Sequence, residues 1–294
     1  MSKRLKTVDD VKKLKSINGI SISSLDALCR PLPDRTMDPV NWRKRSAAGF
    51  LTDDCPGLIE TMVDDWHCVT EVLKTTHSDV ADVLRYLWNR VERSGPEFVC
   101  EEKNKYHPDV NPIVKLKLQR QRFNAPQWSP FGSLPLKLND ESCCDDCSVN
   151  EHCWDEELRI KNEALGVELV VAEGVIGFID EIGFFEGGDD NPYRVDPLLL
   201  AAVLTYTPDI VDCPSWLTEE AAHRVERIGQ AKVKAIKRET ELTVSEVLSH
   251  AGKDSMNSAQ KWIREYEVYS KQKKDREWEQ WSSVHSRLVE CKKR

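Results

Sequence analysis

No stretch of this sequence is apolar for long enough to cross a membrane. The longest apolar-leaning run, residues 167–185, is broken by Glu168, Glu173, Asp180 and Glu181, whereas a spanning helix needs about 20 nearly uninterrupted apolar residues. The start, Met1-Ser2-Lys3-Arg4-Leu5-Lys6, is basic but leads into Val8-Asp9-Asp10-Val11-Lys12-Lys13 rather than an apolar h-region, so no secretory signal is expected. Internal repeats and low-complexity tracts are missing too. Neither Gly-x-Ser-x-Gly nor His-Glu-x-x-His occurs, which removes the two commonest signatures of hydrolase nucleophiles and zinc proteases. His250-Ala251-Gly252-Lys253-Asp254-Ser255 lacks the spacing of a Walker loop and follows a helical pattern, so Gly252 reads as a helix terminator. Cys68 beside His67 is no nucleophile–base pair, because neighbours in sequence point apart on a helix.

What is present is a globular composition: 294 residues, 40% hydrophobic and 31% charged, enough for one large or two compact domains. Ten cysteines in a chain of this size, without an export signal, point to a reducing compartment, cytoplasmic or nuclear, with a metal or free thiols. The net charge of −8 is unevenly spread. Residues 1–138 carry 22 Lys and Arg against 18 Asp and Glu, residues 139–214 carry 3 against 19, and residues 215–294 carry 17 against 13. The acidic middle would repel a phosphate backbone; it suits a basic partner surface, a hydrated cation or plain solvation. Asp189 and Asp190, in a Gly-rich loop, could hold such a cation.

The apolar periodicity predicts short helices near Val8–Leu14 and Ser24–Leu28. It then predicts a helical hairpin over residues 52–93, with Thr52 or Asp53 capping the first helix and Ser78 the second. Leu58, Ile59, Met62, Val63, Trp66, Val69 and Leu73 form one stripe; Val80, Val83, Leu84, Leu87, Trp88 and Val91 form the next. Six prolines between residues 96 and 135 forbid a long helix there, and two alternating runs, residues 113–118 and 134–138, read as edge strands. Residues 156–172 read as helix and 175–185 as a strand. Helices are predicted at 197–206, 218–241 and 243–250, and one long helix from Asn257 to about Glu290. Its apolar stripe lapses at Lys271–Arg276 and resumes out of phase at Trp278, Trp281 and Leu288, which implies a bend or two different contact surfaces. The expected fold is therefore mainly α: a helical hairpin (1–93) and C-terminal helices (156–294) flank an irregular Pro/Cys-rich insert (94–155).

The insert holds the densest chemistry. Cys143-Cys144-Asp145-Asp146-Cys147-Ser148-Val149-Asn150-Glu151-His152-Cys153 places four thiols and an imidazole within eleven residues, the donor set of tetrahedral zinc or, with thiolates alone, of an iron–sulphur cluster. Cys144 and Cys147 form a chelating knuckle, and His152 and Cys153 can complete a Cys3His zinc site with Cys143 as a spare. A second arrangement pairs the knuckle with Cys100 and His107 upstream. Metal ligation would staple a weakly structured segment.

Two local resemblances add expectations. Cys144-x2-Cys147-x5-Cys153 is similar to the three-cysteine signature that closes the core of iron–sulphur nucleases of the RecB-like class. That resemblance implies a 4Fe–4S cluster with Cys100 as fourth ligand, a magnesium-binding Glu-x-Lys at Glu101-Glu102-Lys103, and a parallel αβ core. Tyr106-His107-Pro108-Asp109 resembles the loop of J-domain co-chaperones, which implies a chaperone contact through His107, Pro108 and Asp109; a Pro-rich turn is the plainer reading. Lys115, Lys117, Arg120 and Arg122, with Phe123 and Trp128 nearby, offer a basic strand for nucleic acid. The expectation drawn from all this is a non-enzymatic, non-membrane adaptor or regulator with a structural Zn2+ loop that presents a protein-recognition surface. A metal-dependent nuclease and a nucleic-acid-binding protein are the alternatives, and oligomeric state is left open.

Overall fold

The computed structural model describes residues 5–31, 50–52, 55–94, 97–102, 114–131, 153–191, 193–208, 210, 213–252 and 255–291. Two short helices, α1 (Val8–Lys12) and α2 (Ile22–Cys29), flank a tiny ribbon of β1 (Ser16–Ile17) and β2 (Ile20–Ser21) and pack on α3 (Leu58–His67). The expected helical hairpin forms from Leu58–His67 and His77–Ser94; Asp53, one of the expected caps, lies outside the described residues, and the caps seen are different ones. α3 begins after Gly57, and the donor left open there, the Leu58 N–H, is satisfied by Asp26 of α2 at 2.8 Å. A π-turn (Cys68–Val72) ends it. In α4 (His77–Ser94), Thr76 and Asp79 bond each other's backbone N–H groups, at 3.1 and 3.2 Å, as a capping box does. Ser78, expected as the cap, donates instead to Asp180 at 2.7 Å.

Strands β3 (Glu97–Glu102), β4 (Val114–Trp128), β5 (Cys153–Asn162) and β6 (Val167–Ala172) make one antiparallel sheet in the order β3-β4-β5-β6. The run at 113–118, expected as an edge, is the start of an interior strand of 15 residues that pairs on both sides. The run at 134–138 lies outside the described residues. Val114, Leu116 and Leu118 of β4, Leu158 and Ile160 of β5, and Val167, Leu169 and Val171 of β6 are buried, so every second residue faces the core. Buried Asn162 ties the sheet to the next layer. Its amide donates to the carbonyls of Val203 (2.8 Å) and Tyr206 (2.9 Å) and accepts from the Leu165 N–H (2.9 Å).

Two assignments are reversed. Residues 156–172, expected to be helical, are β5 and β6; residues 175–185, expected as a strand, are mostly α5 (Glu173–Ile182). The first segment alternates charged and apolar residues through Glu157-Leu158-Arg159-Ile160-Lys161, a period of two that argues for a strand. The second is buried on nearly every side, from Gly174 through Ile179. A helix enclosed all round shows no periodicity and looks like a core strand in sequence. α5 ends at Gly183 in the left-handed region (φ +68°), where a Cβ would run into the Trp66 and His77 rings.

α6 (Pro197–Thr205) starts at Pro197 as expected, Asp196 caps it by accepting from the Leu199 N–H, and all nine of its residues are buried. After α7 (Ser215–Thr218) come two long helices, α8 (Glu220–His250) and α9 (Met256–Cys291). α8 is continuous through the expected break at 241–243. Mainly α with small antiparallel sheets is thus the architecture. One contiguous core draws Val11, Met62, Leu116, Ile160, Phe178, Leu200, Val225 and Leu288 together from all parts of the chain.

His77 is buried at this junction, its ring 4.0 Å from that of Trp66 and 5.8 Å from that of Phe185, with Nε2 unbonded. Burial pushes its pKa down from 6.5 to about 4. The unfolded chain therefore binds a proton between those values that the folded chain refuses, and stability falls as pH drops through that window. We expect His77 to cost about 3 kcal/mol between pH 6.5 and 4. Urea unfolding at pH 7 and pH 4.5 should show a smaller acid loss in His77→Leu than in the wild type.

Candidate functional site

The segment after α5 must carry charged side chains back through the core. Glu186 (φ +61°) and Gly188 (φ +94°) turn it sharply, and Arg194, 5% exposed, enters the interior. Its Nη2 donates to Asp65 Oδ1 at 2.7 Å and to Asp196 Oδ2 at 3.3 Å; its Nη1 reaches Asp65 Oδ2 at 3.3 Å and the Glu186 carbonyl. Arg224 of α8 lies alongside. It meets Asp196 at 3.2 Å, Asp64 at 3.0 Å and the Cys68 sulphur at 3.1 Å. Arg227 bonds Asp189 at 2.5 Å and approaches Asp64 at 3.8 Å, while Arg238 lies 3.7 Å from Asp190. The cluster joins α3, the 183–196 segment and α8.

The electrostatics follow from burial. Desolvation opposes the Arg194 cation, yet Asp65 and Asp196 more than offset it and the guanidinium is held charged. Burial pushes the Asp65 carboxyl up to about 7 although Arg194 pulls it back. The buried Glu186 carboxyl, which accepts from the Asn191 amide at 3.1 Å, is raised well above the ordinary carboxylate value by the same desolvation. Burial also pushes the Cys68 thiol up to about 12, against Arg224, which makes it a poor nucleophile.

A cavity of about 390 Å³ opens beside the cluster, between Glu60, Thr61 and Asp64 of α3, Gly188–Asp190, and Arg227, Ala231 and Lys234 of α8. Asp64, Asp189 and Asp190 each face an arginine, so the cation expected at Asp189 and Asp190 finds guanidinium groups already there. Among the described residues no group of three or more His, Cys, Asp or Glu is placed to hold a metal ion. The arrangement works as a clamp.

The sequence-derived metal ligands fall largely elsewhere. Cys143, Cys144, Cys147, His152 and His107 lie outside the described residues. Cys153 opens β5 opposite Trp128, whereas Cys100 of β3 is opposite Leu116. Nine positions of β5, from Cys153 to Asn162 opposite Leu116, separate the two, roughly 30 Å at strand rise. One ion cannot hold both Cys100 and Cys153, so the fourth-ligand role implied by the nuclease resemblance does not fit this register. Every strand pairing in the sheet is antiparallel, unlike the parallel core that resemblance implies. Of the basic strand residues, Arg120 and Arg122 both meet Glu156, and Arg120 also covers the Trp88 ring at 4.9 Å. Lys115 stands opposite Glu101, and Lys117 opposite Val99.

Residue spacing did not single out Arg194, Arg224 or Asp65. The legible signal was Asp65 itself, a carboxylate one turn from Met62 and Val69 on the buried stripe of α3, which calls for a buried cation.

The other exposed feature is the outer half of the α8–α9 hairpin. Gly229 packs against Trp281, and Lys273 bonds Glu239 at 3.4 Å, so the end of α8 and the start of α9 run side by side in opposite directions. Among the described residues beyond that ion pair, only Ile263 and Ser270 are buried; Leu242 (65% exposed), Leu248, Trp262, Val268 and Tyr269 (54%) are open. Trp262 stacks on Tyr266 with centroids 4.9 Å apart and planes within 10°, and Tyr269 continues the row at 6.4 Å. Compared with protein families, with curated proteins and with solved structures, the chain has no match.

Removing one partner of a buried ion pair strands the other. Arg194→Met should lower unfolding stability by about 3–5 kcal/mol, and adding Asp65→Asn to it should recover part of that loss in chemical denaturation.

Proposed function

We propose that this chain is a non-enzymatic adaptor or regulatory protein that docks an acidic amphipathic helix of a protein partner on the tip of the α8–α9 hairpin. The stacked row Trp262-Tyr266-Tyr269 carries the reading. Two helices alone cannot cover their own apolar surface, and a third helix completes such a pair. Tryptophan and tyrosine are also the side chains that anchor interfaces. Residues 256–276 hold six Lys and Arg against three Asp and Glu, which favours acidic flanks on the partner. A protein suits this surface better than nucleic acid, because Lys261 and Lys273 already pair with Glu265 and Glu239 and the whole chain is net negative.

A structural zinc loop at 143–153 belongs to the same proposal, in a reducing, cytoplasmic or nuclear setting. It is supported by the donor spacing and by its place between two paired strands: β4 and β5 are adjacent, and residues 129–152 connect them. A clip there would close the long connection between two adjacent strands.

Selection of displayed 16-residue peptides against the full chain tests the docking surface. Enriched peptides should be acidic and helical, and Trp262→Ala with Tyr269→Ala should abolish their binding while moving stability by no more than about 0.5 kcal/mol. Peptides that bind the double variant equally well, or a 20-nucleotide single strand held with steep salt dependence, would overturn it. For the loop, elemental analysis should give one zinc per chain, lost in Cys144→Ser and in Cys147→Ser. Unaltered metal content in both variants removes the zinc site.

A further inference from the structure

The cavity beside the arginine clamp is bordered by polar groups that the clamp leaves unused. At about 390 Å³ it falls in the size range of small-molecule sites. One wall is α3, which contributes Glu60 and Asp64 a turn apart on one face. The other is α8, which contributes Arg227 and, a turn further on, Ala231, whose small side chain leaves the space open.

Acceptors remain on the acidic groups. Asp64 accepts from Arg224 through Oδ2, leaving Oδ1 without a bond among the described residues. Asp190 lies 3.7 Å from Arg238 and accepts no hydrogen bond among those residues. Glu60 has neither an ion pair nor a hydrogen bond there; its carboxylate lies against Gly57 at the start of α3. Donors remain as well. Arg227 commits Nε and Nη2 to Asp189, and its Nη1 bonds none of the described residues. Arg194, almost wholly buried, borders the same cavity with an Nε–H that has no hydrogen-bond partner, since Asp189 Oδ1 stands 3.9 Å away. A buried donor of that kind is rare and costly to leave unmatched.

We propose that this cavity binds a free basic α-amino acid, of the class of arginine and lysine. Such a molecule carries two cationic groups and one carboxylate, which is the complement of what the walls leave open. Its side-chain cation pairs with Glu60, its α-ammonium with Asp64 and Asp190, and its carboxylate with Arg227, on the side that Arg194 borders. Other small molecules match less. A phosphate or a dicarboxylate would meet Glu60, Asp64 and Asp190 as like charges. A polyamine offers no acceptor to the guanidinium groups, and an amino acid with an uncharged side chain leaves one carboxylate without a counter-charge. The cavity lies at the clamp, away from the hairpin tip, and its occupant is independent of what docks there. Because it spans α3 and α8, a bound molecule would tie the two helices together and stabilise the fold by mass action.

Calorimetric titration of the full chain with L-arginine or L-lysine, with thermal unfolding alongside, tests the site. One molecule per chain should bind saturably and raise the thermal midpoint. Glu60→Gln removes a charge that no described residue pairs with, and Ala231→Leu fills the space. Each should weaken binding by about tenfold or more while unfolding like the wild type without ligand. Leucine, glutamate, inorganic phosphate and agmatine (arginine without its carboxylate) should bind at least about tenfold more weakly than arginine. Agmatine or leucine held as tightly as arginine, a preference for glutamate or phosphate, unchanged affinity in both variants, or no saturable binding tighter than about 10 mM would each overturn the proposal.

Discussion

A guanidinium sunk into the core sets the terms for the rest of this structure. Arg194 and Asp65 are almost wholly withdrawn from water, and an ion moved from water into protein costs several kcal/mol unless its partners are in place. The partners come from three directions: Asp65 from α3, Asp196 from the cap of α6, and Arg224 from α8 through that same aspartate. None of these elements can leave without stranding a charge. The cluster therefore fixes where the 183–196 segment turns, which in turn brings Asp189 and Asp190 to the face of α8. The positive φ at Glu186 and Gly188 is sustained by the same constraint, since the Arg194 guanidinium holds the Glu186 carbonyl.

The helical parts of the fold were largely legible in sequence, because α3, α4 and α9 each show apolar residues on one face. The stripe that slips along α9 turns out to mark two contact surfaces on one uninterrupted helix. Trp281, Val284 and Leu288 are buried at the body, while Trp262, Tyr266 and Tyr269 line an open face farther out. The centre of the chain was misread where burial erased periodicity, as in α5, and where hydrophobic content outweighed a clean alternation, as in β5 and β6. The arginine cluster was hidden for a different reason. Its members are scattered from residue 64 to residue 238, and no local spacing reports an interaction between segments so far apart.

The sheet and the hairpin divide the chemistry of the molecule. The basic residues of β4 that suggested a nucleic-acid face are engaged within the sheet, Arg120 and Arg122 by Glu156. Opposite-charge neighbours on adjacent strands stabilise a sheet as side-chain pairs, which gives those residues a structural occupation. The hairpin tip has no such occupation. Among the described residues nothing covers Trp262 and Tyr269, which stay exposed at the ends of its aromatic row.

Arg224, Arg227 and Arg238 project from one side of α8, three and eleven residues apart, and each grips an acid on the body. Sliding α8 along its axis by a single turn would carry all three past their partners at once, so the helix has one register or none. From Arg238 to His250 it continues for roughly 18 Å at helical rise. A load applied at the far end is therefore borne as leverage about a fixed fulcrum, and it is felt first at the sharp bend holding Asp189 and Asp190.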